Sequence, residues 1–452
     1  MSENYTWTRL SDVYSIPELT LNIEKLEKEF INYDETSLFS QLVNTSQSNK
    51  LPYHSWMRYR EAYSGDLVKE LLKRFPIDLK DFVIDPMCGS GSTMVACNDL
   101  GIKSIGLDVN PYAILSSKIK CASFDHNQLK KVNVIKGEII HDAKSITITP
   151  NEFDTDIEKY FNQSNFRQVV ALKQVVNNIE DLWLKDFFLF ALLSILENCS
   201  NRKKDGNGLA TRETKVTDCF AQFGNQINKM ISDITSYPYP NGDLSKSLLE
   251  SAKDLNHKRL FSNSTKNEVG SIIFSPPYAN SFDYFESYKM ELIFGEWSRA
   301  NEIHNNRKTL IRNYRLGYGK DLNSNFPIVQ LLREEIWKKI PLKESKTGKR
   351  DGRTRLVPNM LSAYFEDMAV VIENCMNLLK AKGYLHIVVD QSSYLGVPIP
   401  TDIIFAEIAQ ELGYNNIQII KCRKANTSGQ QLKQFPYLKQ LLRESIVSVQ
   451  KI

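Results

Sequence analysis

FVIDPMCGSGSTMVACNDLGIKSIGLDVNPYAILSSKIK, residues 82–120, decides the fold. Phe82-Val83-Ile84 is an apolar run of the buried-strand kind, and Asp85-Pro86 ends it, because proline has no N–H to give to a ladder. Cys88-Gly89-Ser90-Gly91-Ser92 is a glycine-rich turn, Thr93 to Leu100 reads as a helix with small and apolar faces, and Gly101 stops it. Ser104 to Leu107 is a second strand with Asp108 at its carboxyl end. This is a βαβ unit, and an acid at the end of its second strand is the layout that binds a nucleoside. The glycines let backbone approach the ligand, and the carboxylate accepts from ribose hydroxyls. The turn reads GSG rather than GxGxxG, with 17 residues from Gly91 to Asp108, and alone it also suits a tight turn in any α/β protein.

A second stretch, SIIFSPPYANSFDYF (271–285), has a related form. Ile272-Ile273-Phe274 is a β-rich run that ends in Ser275-Pro276-Pro277-Tyr278. Two prolines stop the strand, stiffen the chain just beyond it and leave their carbonyls free. Tyr278 is thereby held past a strand end, where open α/β sheets place ligands, and it offers a flat stacking surface to a planar amine.

Between and beyond these stretches the pattern alternates. An N-terminal arm, residues 1–50, carries one amphipathic helix over Ile16 to Phe30. LPYHSWMRYREAYSGDLVKELLKRF (51–75) is an aromatic- and Arg-rich loop and then a helix, for which Ser64 is the N-cap. Residues 124–240 read as a helical insertion, with Asn201 to Gly208 a basic, flexible loop that is either a solvated turn or a phosphate contact. Residues 299–360 form a second, loop-like insertion, with 15 Lys/Arg against 6 Asp/Glu between Arg299 and Arg355. A helix over Tyr364 to Leu379, a stop at Ala381-Lys382-Gly383, and strands at Tyr384 to Val389, Ile417 to Cys422 and Glu444 to Gln450 complete the α/β pattern. The expected fold is α/β: one doubly wound, mostly parallel, seven-stranded Rossmann-like sheet, built from 51–123, 241–298 and 361–452, with two insertions.

Composition bounds the function. The net charge of +4 does not by itself announce nucleic acid. Seven scattered cysteines without a CxxC pair, and six histidines without ligand spacing, suggest neither a disulfide frame nor a metal site. No apolar run of eighteen residues and no signal-like leader occur, so the expected location is the cytoplasm, with no membrane and no metal.

With these pieces in place, the chain resembles the amino-methylating DNA methyltransferases that use S-adenosylmethionine. DPMCGSGS (85–92) is similar to their cofactor loop, GLDVNPYA (106–113) to their second motif, and SPPY (275–278) to their catalytic motif. YFESYKMELIFG, YFEDM to GYLHIVV, and LRESIVSVQK look like the later elements, and WMRYREAYSGDLV (56–68) like the segment folded against the methionine end of the cofactor. The resemblance implies S-adenosyl-L-methionine as cofactor, held by Asp85, Pro86, Cys88, Gly89, Gly91, Asp108, Tyr63 and Ser64, with Ser251 or Asp254 facing the adenine. It implies catalysis by Ser275, Pro276, Pro277 and Tyr278 on double-stranded DNA. Arg202, Lys203, Lys204, Lys349, Arg350, Arg353 and Arg355 are the expected nucleic-acid contacts, with 299–360 the preferred target-recognition region.

An exocyclic amine is a poor nucleophile because its lone pair is delocalised into the ring. Acceptors at Ser275 and the Pro276 carbonyl would draw the nitrogen toward sp³, and Tyr278 would stack on a base flipped from the duplex. Carbon-5 methylation is excluded, because it needs a Pro-Cys pair and none of the seven cysteines follows a proline. Serine in the first motif position is commoner in N4-cytosine enzymes, so N4-cytosine is the expected target and N6-adenine the alternative. Expected partners are duplex DNA and, acting separately, a cognate restriction endonuclease. An RNA methyltransferase, a protein-glutamine methyltransferase and a non-catalytic cofactor-binding regulator are the readings from other classes. The basic insertions argue for nucleic acid over protein, and the intact glycine turn, Asp108 and SPPY argue against the regulator.

Overall fold

A computed structural model describes residues 9–43, 50–59, 63–205, 208–241, 244–262, 268–279, 283–312, 324–414, 416–425 and 427–452. In chain order its strands are β1 (Ile31–Asp34), β2 (Phe82–Asp85), β3 (Lys103–Asp108), β4 (Arg202–Asp205), β5 (Gly208–Thr211) and β6 (Ser245–Leu249). They continue with β7 (Val269–Phe274), β8 (Leu379–Asp390), β9 (Ser392–Tyr394), β10 (Val397–Ile399), β11 (Asn416–Lys424) and β12 (Arg443–Gln450). The chain divides into two compact units: Met1–Val43, Ala252–Ser281 and Ile311–Ile452 in one, Asn44–Ser251 and Phe282–Leu310 in the other.

The unit that begins at Asn44 contains the βαβ element. β2 runs parallel to β3, and β3 parallel to β6. The helix Ser92–Leu100 is bracketed by Gly91 at φ 88° and Gly101 at φ 70°, left-handed positions that glycine adopts without strain. The next helix, Pro111–Cys121, starts at Asn110, whose side chain accepts from the Tyr112 amide. The helical segment expected over 124–240 is present as His126–Ser145, Gln163–Asn177, Leu182–Cys199 and Cys219–Ser236. Asp125, Asn162, Asp181 and Asp218 cap them in turn, so the boundaries follow local chemistry. Within the stretch expected as a flexible loop, Arg202–Asp205 pairs with Gly208–Thr211 as an antiparallel hairpin, with Lys203 opposite Ala210 and Lys204 opposite Leu209.

In the other unit the strand order is β1-β11-β12-β8-β7. β1 is parallel to β11 and β7 to β8, while β12 runs antiparallel to both its neighbours. The α/β class and the mainly parallel pairing are as expected, but these two ladders hold eight strands rather than seven. The addition is β1, INYD, which has no apolar run and only one half-buried residue to mark it. The stop expected at Ala381-Lys382-Gly383 is a register shift within β8, with Lys382 at φ 63°.

The loop-like reading of 299–360 also changes. Residues Pro327–Thr347 form a helix of 21 residues that buries Ile328, Leu332, Ile336 and Ile340. The helix Pro17–Glu29 has no side-chain cap of its own. Glu335 supplies it, accepting from Ser15 N (2.9 and 3.0 Å), Ser15 Oγ (2.8 Å) and Ile16 N (3.1 Å). Lys339 pairs with the same carboxylate at 3.3 Å. A carboxylate at a helix N-terminus satisfies otherwise orphaned amides and suits the helix dipole.

Glu335→Ala strips a buried cluster of charge-assisted hydrogen bonds. Urea denaturation should show a loss of about 2–3 kcal/mol with an unchanged m-value. A loss of a few tenths would show that solvent replaces the carboxylate.

Candidate functional site

The glycine-rich loop is held from beneath by Asp85. Its buried carboxylate accepts from the Tyr63 hydroxyl (3.0 Å) and the Thr93 hydroxyl (2.5 Å) at Oδ2, and from the Met87 amide (3.1 Å) at Oδ1. Burial pushes its pKa up to about 7 against these donors, which favour the charged form. Asp85 and Tyr63, both expected at the cofactor, are thus bonded to each other and fix the course of the loop. Ser64 caps the helix Gly65–Arg74 by accepting from the Leu67 amide at 3.2 Å. Pro86 is buried directly behind the strand.

Above that base the loop turns toward Asp108. Cys88 N donates to Leu107 O at 2.8 Å, and Gly91 N to Cys88 O at 2.8 Å. Gly89 N then donates to Asp108 Oδ2 at 3.0 Å, while Asn110 N donates to Oδ1 at 2.8 Å. The Asp108 carboxylate meets only backbone amides among the described residues, so lone pairs remain for hydroxyl donors. Burial raises its pKa to about 6, opposed by those amides. A Cβ at Gly89 (φ 49°) would lie 2.6 Å from the Tyr59 ring, and one at Gly91 (φ 88°) 2.8 Å from Ser117 Cβ. The Cys88 thiol packs inward, where a Cβ at Gly106 would lie 2.9 Å from its sulfur, and burial keeps it protonated. Cys88 therefore serves the loop through its backbone. Ser251 is half-buried just after β6, and Asp254 is exposed in the turn Ala252–Asp254.

Tyr59 was not singled out by the sequence. Its ring lies over Gly89 and stacks on Tyr288 at a centroid distance of 5.1 Å and 12°. The signal was the aromatic-rich WMRYREAY, although nothing local marks which of its rings faces the loop.

In the other unit, all six residues of β7 are buried, and the strand delivers Ser275 half-buried, Pro276 buried, and Pro277 and Tyr278 half-buried. The Ser275 hydroxyl and the Pro276 carbonyl have no hydrogen-bond partner among the described residues. One residue past Tyr278, Ala279 O accepts from the Tyr394 hydroxyl at 3.0 Å, which anchors the motif to β9. Tyr394 lies 115 residues away and also escaped the sequence reading. Next to β7, His386 faces Ile273 across the ladder, is bonded to Ser448 Oγ at 2.8 Å, and has its pKa lowered to about 3 by burial. It stays neutral.

The expected nucleic-acid contacts separate into groups. Lys204 is a correction: it is buried and ion-paired with Glu291, with Glu197 at 3.6 Å, so its charge is spent inside the protein. Lys203 is exposed, and the Arg202 guanidinium lies over the Tyr160 ring at 5.2 Å. Lys349, Arg350 and Arg353 are all exposed on the surface. Arg355 is held by both oxygens of Glu344, at 2.8 and 2.7 Å. Among the described residues no group of three or more His, Cys, Asp or Glu could hold a metal ion.

Two strand ends carrying a glycine loop and an acid, and a third carrying SPPY, resemble the motif set of the amino-methylating DNA methyltransferases that use S-adenosylmethionine. The residues present fit that cofactor: Asp108 keeps acceptor capacity of the kind a ribose diol would use, and Gly89 and Gly91 hold the loop where a Cβ would collide with Tyr59 and Ser117. The comparisons agree. The family of N6- and N4-directed enzymes described as DNA methylase matches residues 5–118. The chain is similar to the Type II methyltransferase M.BsoBI of Geobacillus stearothermophilus, 27% identical across 94% of this chain and 91% of that one. It is also similar to the Type II methyltransferase M.AvaI of Nostoc sp. PCC 7120, 27% identical across 87% of this chain and 86% of that one. The rRNA methyltransferase AviRa of Streptomyces viridochromogenes aligns over 91% of this chain and 96% of its own at 10% identity, with a TM-score of 0.31, a likeness that adds no argument.

Affinity for S-adenosylmethionine, measured by calorimetry, should fall about tenfold per pH unit below about 6, as the free Asp108 carboxylate takes up a proton. Asp108→Asn should bind about 10- to 100-fold more weakly and lose that pH dependence. Gly91→Ala should abolish binding while the protein stays folded. A flat pH profile in the wild type would remove Asp108 from the cofactor.

Proposed function

We propose that the chain is a site-specific DNA methyltransferase that methylates the exocyclic N4 amine of cytosine in duplex DNA, as the modification component of a restriction–modification system. The observation that supports transfer to an amine is the pair of acceptors at Ser275 and Pro276, without a partner among the described residues, at the end of a fully buried strand; serine in the first motif position favours the N4 amine of cytosine. The similarity to Type II methyltransferases over most of the chain supports DNA as the polymer.

S-adenosylmethionine supplies an electrophilic methyl group on a positively charged sulfur. Asp108 orients the cofactor through its ribose, and the loop amides and glycines permit close approach. Ser275 Oγ and Pro276 O accept the two amine protons, which withdraws the nitrogen lone pair from the ring and directs it outward. One of those protons leaves to solvent when the N–C bond forms, so no strong base is needed. Tyr278 stacks on the base once it leaves the duplex, offsetting part of the unstacking cost. Tyr394 holds the Ala279 carbonyl, and so keeps the motif in one conformation. Neutral His386 places no charge beside it.

Purified protein should transfer a labelled methyl group to duplex DNA, and mass spectrometry of the digested nucleosides should show N4-methylcytosine. N6-methyladenine would change the amine and keep the mechanism. Ser275→Ala should cost about 10²–10³ in kcat, and Ser275→Ala with Tyr278→Ala should abolish transfer. Transfer to RNA but not DNA, or wild-type rates in the double variant, would overturn the proposal.

A further inference from the structure

The helical segment carries a second feature. A cavity of about 380 Å³ is lined by Arg58, Lys203, Arg212 and Lys229, together with Glu197 and Lys204. Its walls are tied together. Lys229 Nζ donates to Ser55 O at 2.7 Å, Gln226 to Trp56 O at 2.9 Å, and Trp56 Nε1 to Asp233 at 2.7 Å, so the segment bearing Arg58 is docked on the helix Cys219–Ser236.

The charge in this cavity is unbalanced. Glu197 is its one acid, and Lys204 engages it through both its backbone amide (3.1 Å) and its ammonium (3.6 Å). Arg212 has a single bond, from Nη2 to the Glu197 carbonyl at 2.6 Å, and its Nε is buried with no hydrogen-bond partner among the described residues. Arg58 and Lys203 have no anionic partner among the described residues. Lys229 donates to the Ser55 carbonyl, and burial lowers its pKa against the opposing pull of the Asp233 carboxylate. Buried guanidinium N–H groups are costly unless a partner satisfies them, and the planar fork of arginine matches the oxygens of a phosphate. Arg58, Lys203, Arg212 and Lys229 around a lining whose one acid is Glu197 leave an excess of positive charge, which suits an anion of tetrahedral, many-acceptor chemistry.

We propose that this cavity is a phosphate-binding site that takes one phosphodiester of a nucleic-acid backbone, with Arg58 and Arg212 as its principal donors and Lys203 at its rim. It positions the polymer and reads no sequence. The inference rests on the DNA reading above, and deepens it by assigning a backbone contact to the helical segment rather than to the basic stretch 299–360.

The test is fluorescence anisotropy of full-length protein with a labelled 30-base-pair duplex over a series of salt concentrations. Removal of one phosphate-binding side chain should lower the slope of log K against log salt by about one, and weaken binding about tenfold at 0.1 M salt. Arg212→Gln and Arg58→Gln should each do so, with affinity for S-adenosylmethionine and the melting temperature unchanged. Arg58 is exposed and has no hydrogen-bond or ionic partner among the described residues, so its variant keeps the test valid if Arg212→Gln unfolds. Unchanged slopes in both variants, while the wild type still binds and methylates DNA, would overturn this inference alone. Unchanged slopes accompanied by calorimetric binding of inorganic phosphate that the variants lack would assign the cavity to free phosphate and equally overturn it. A wild type that neither binds nor methylates DNA would sink the functional reading as well.

Discussion

A carboxylate at the end of a buried strand has to be satisfied in place, and around Asp85 that requirement organises the glycine loop. Its partners come from three directions: Tyr63 from the segment before the helix Gly65–Arg74, Thr93 from the helix after the loop, and the Met87 amide from the loop itself. Unsatisfied, the charge would cost several kcal/mol. Satisfied, it locks the start of the glycine loop so that Gly89 N points at Asp108. One buried acid therefore orients the other, half-buried one, and only the second keeps lone pairs for a ligand. Donors from three directions hold the arrangement in one geometry.

The same accounting governs the cations. Lys173 is buried against Asp154 at 2.7 Å, and Lys204 against Glu291. These charges stabilise the helical segment and are absent from its surface. Arg355 is likewise held by Glu344. A basic stretch in the sequence thus overstates the charge a polymer would meet. What remains after internal pairing is a smaller set, and around the cavity beside the helix Cys219–Ser236 that set outnumbers the one acid of the lining, Glu197.

This pairing marks the limit of what the sequence could disclose. The glycine turn, Asp108, the SPPY strand end, and the caps at Ser64 and Asn110 are local: each depends on residues within a few positions, and each was legible. The failures all depend on distant partners. β1 exists because β11 pairs with it, some 390 residues later in the chain. The helix Pro327–Thr347 looked like a charged loop, because its acid Glu335 is used 320 residues away at Ser15. Lys204 read as a phosphate ligand because Glu291 is 87 residues distant. Tyr394 and Tyr59 are ordinary aromatics until the fold places one beside Ala279 and the other over Gly89.

The chemistry of the motif depends on its surroundings as well as on its own residues. Serine, in place of a carboxylate, leaves the strand end uncharged. His386 is kept neutral by burial, and Tyr364 and Tyr394, both in the same unit, have their hydroxyl pKa values raised by burial. Under the proposed function, a base there would be held by the hydroxyl and carbonyl acceptors rather than by a carboxylate, so hydrogen-bond direction would shape its amine. Direction depends on rigidity, and here it comes from two prolines on one side and the Tyr394 bond to Ala279 on the other. On this reading the selectivity for one amine over another lies in the shape presented around Tyr278 rather than in the acidity of Ser275. A hydroxyl and a carbonyl accept equally well from cytosine and adenine, whereas a stacking surface and its walls distinguish one ring from two.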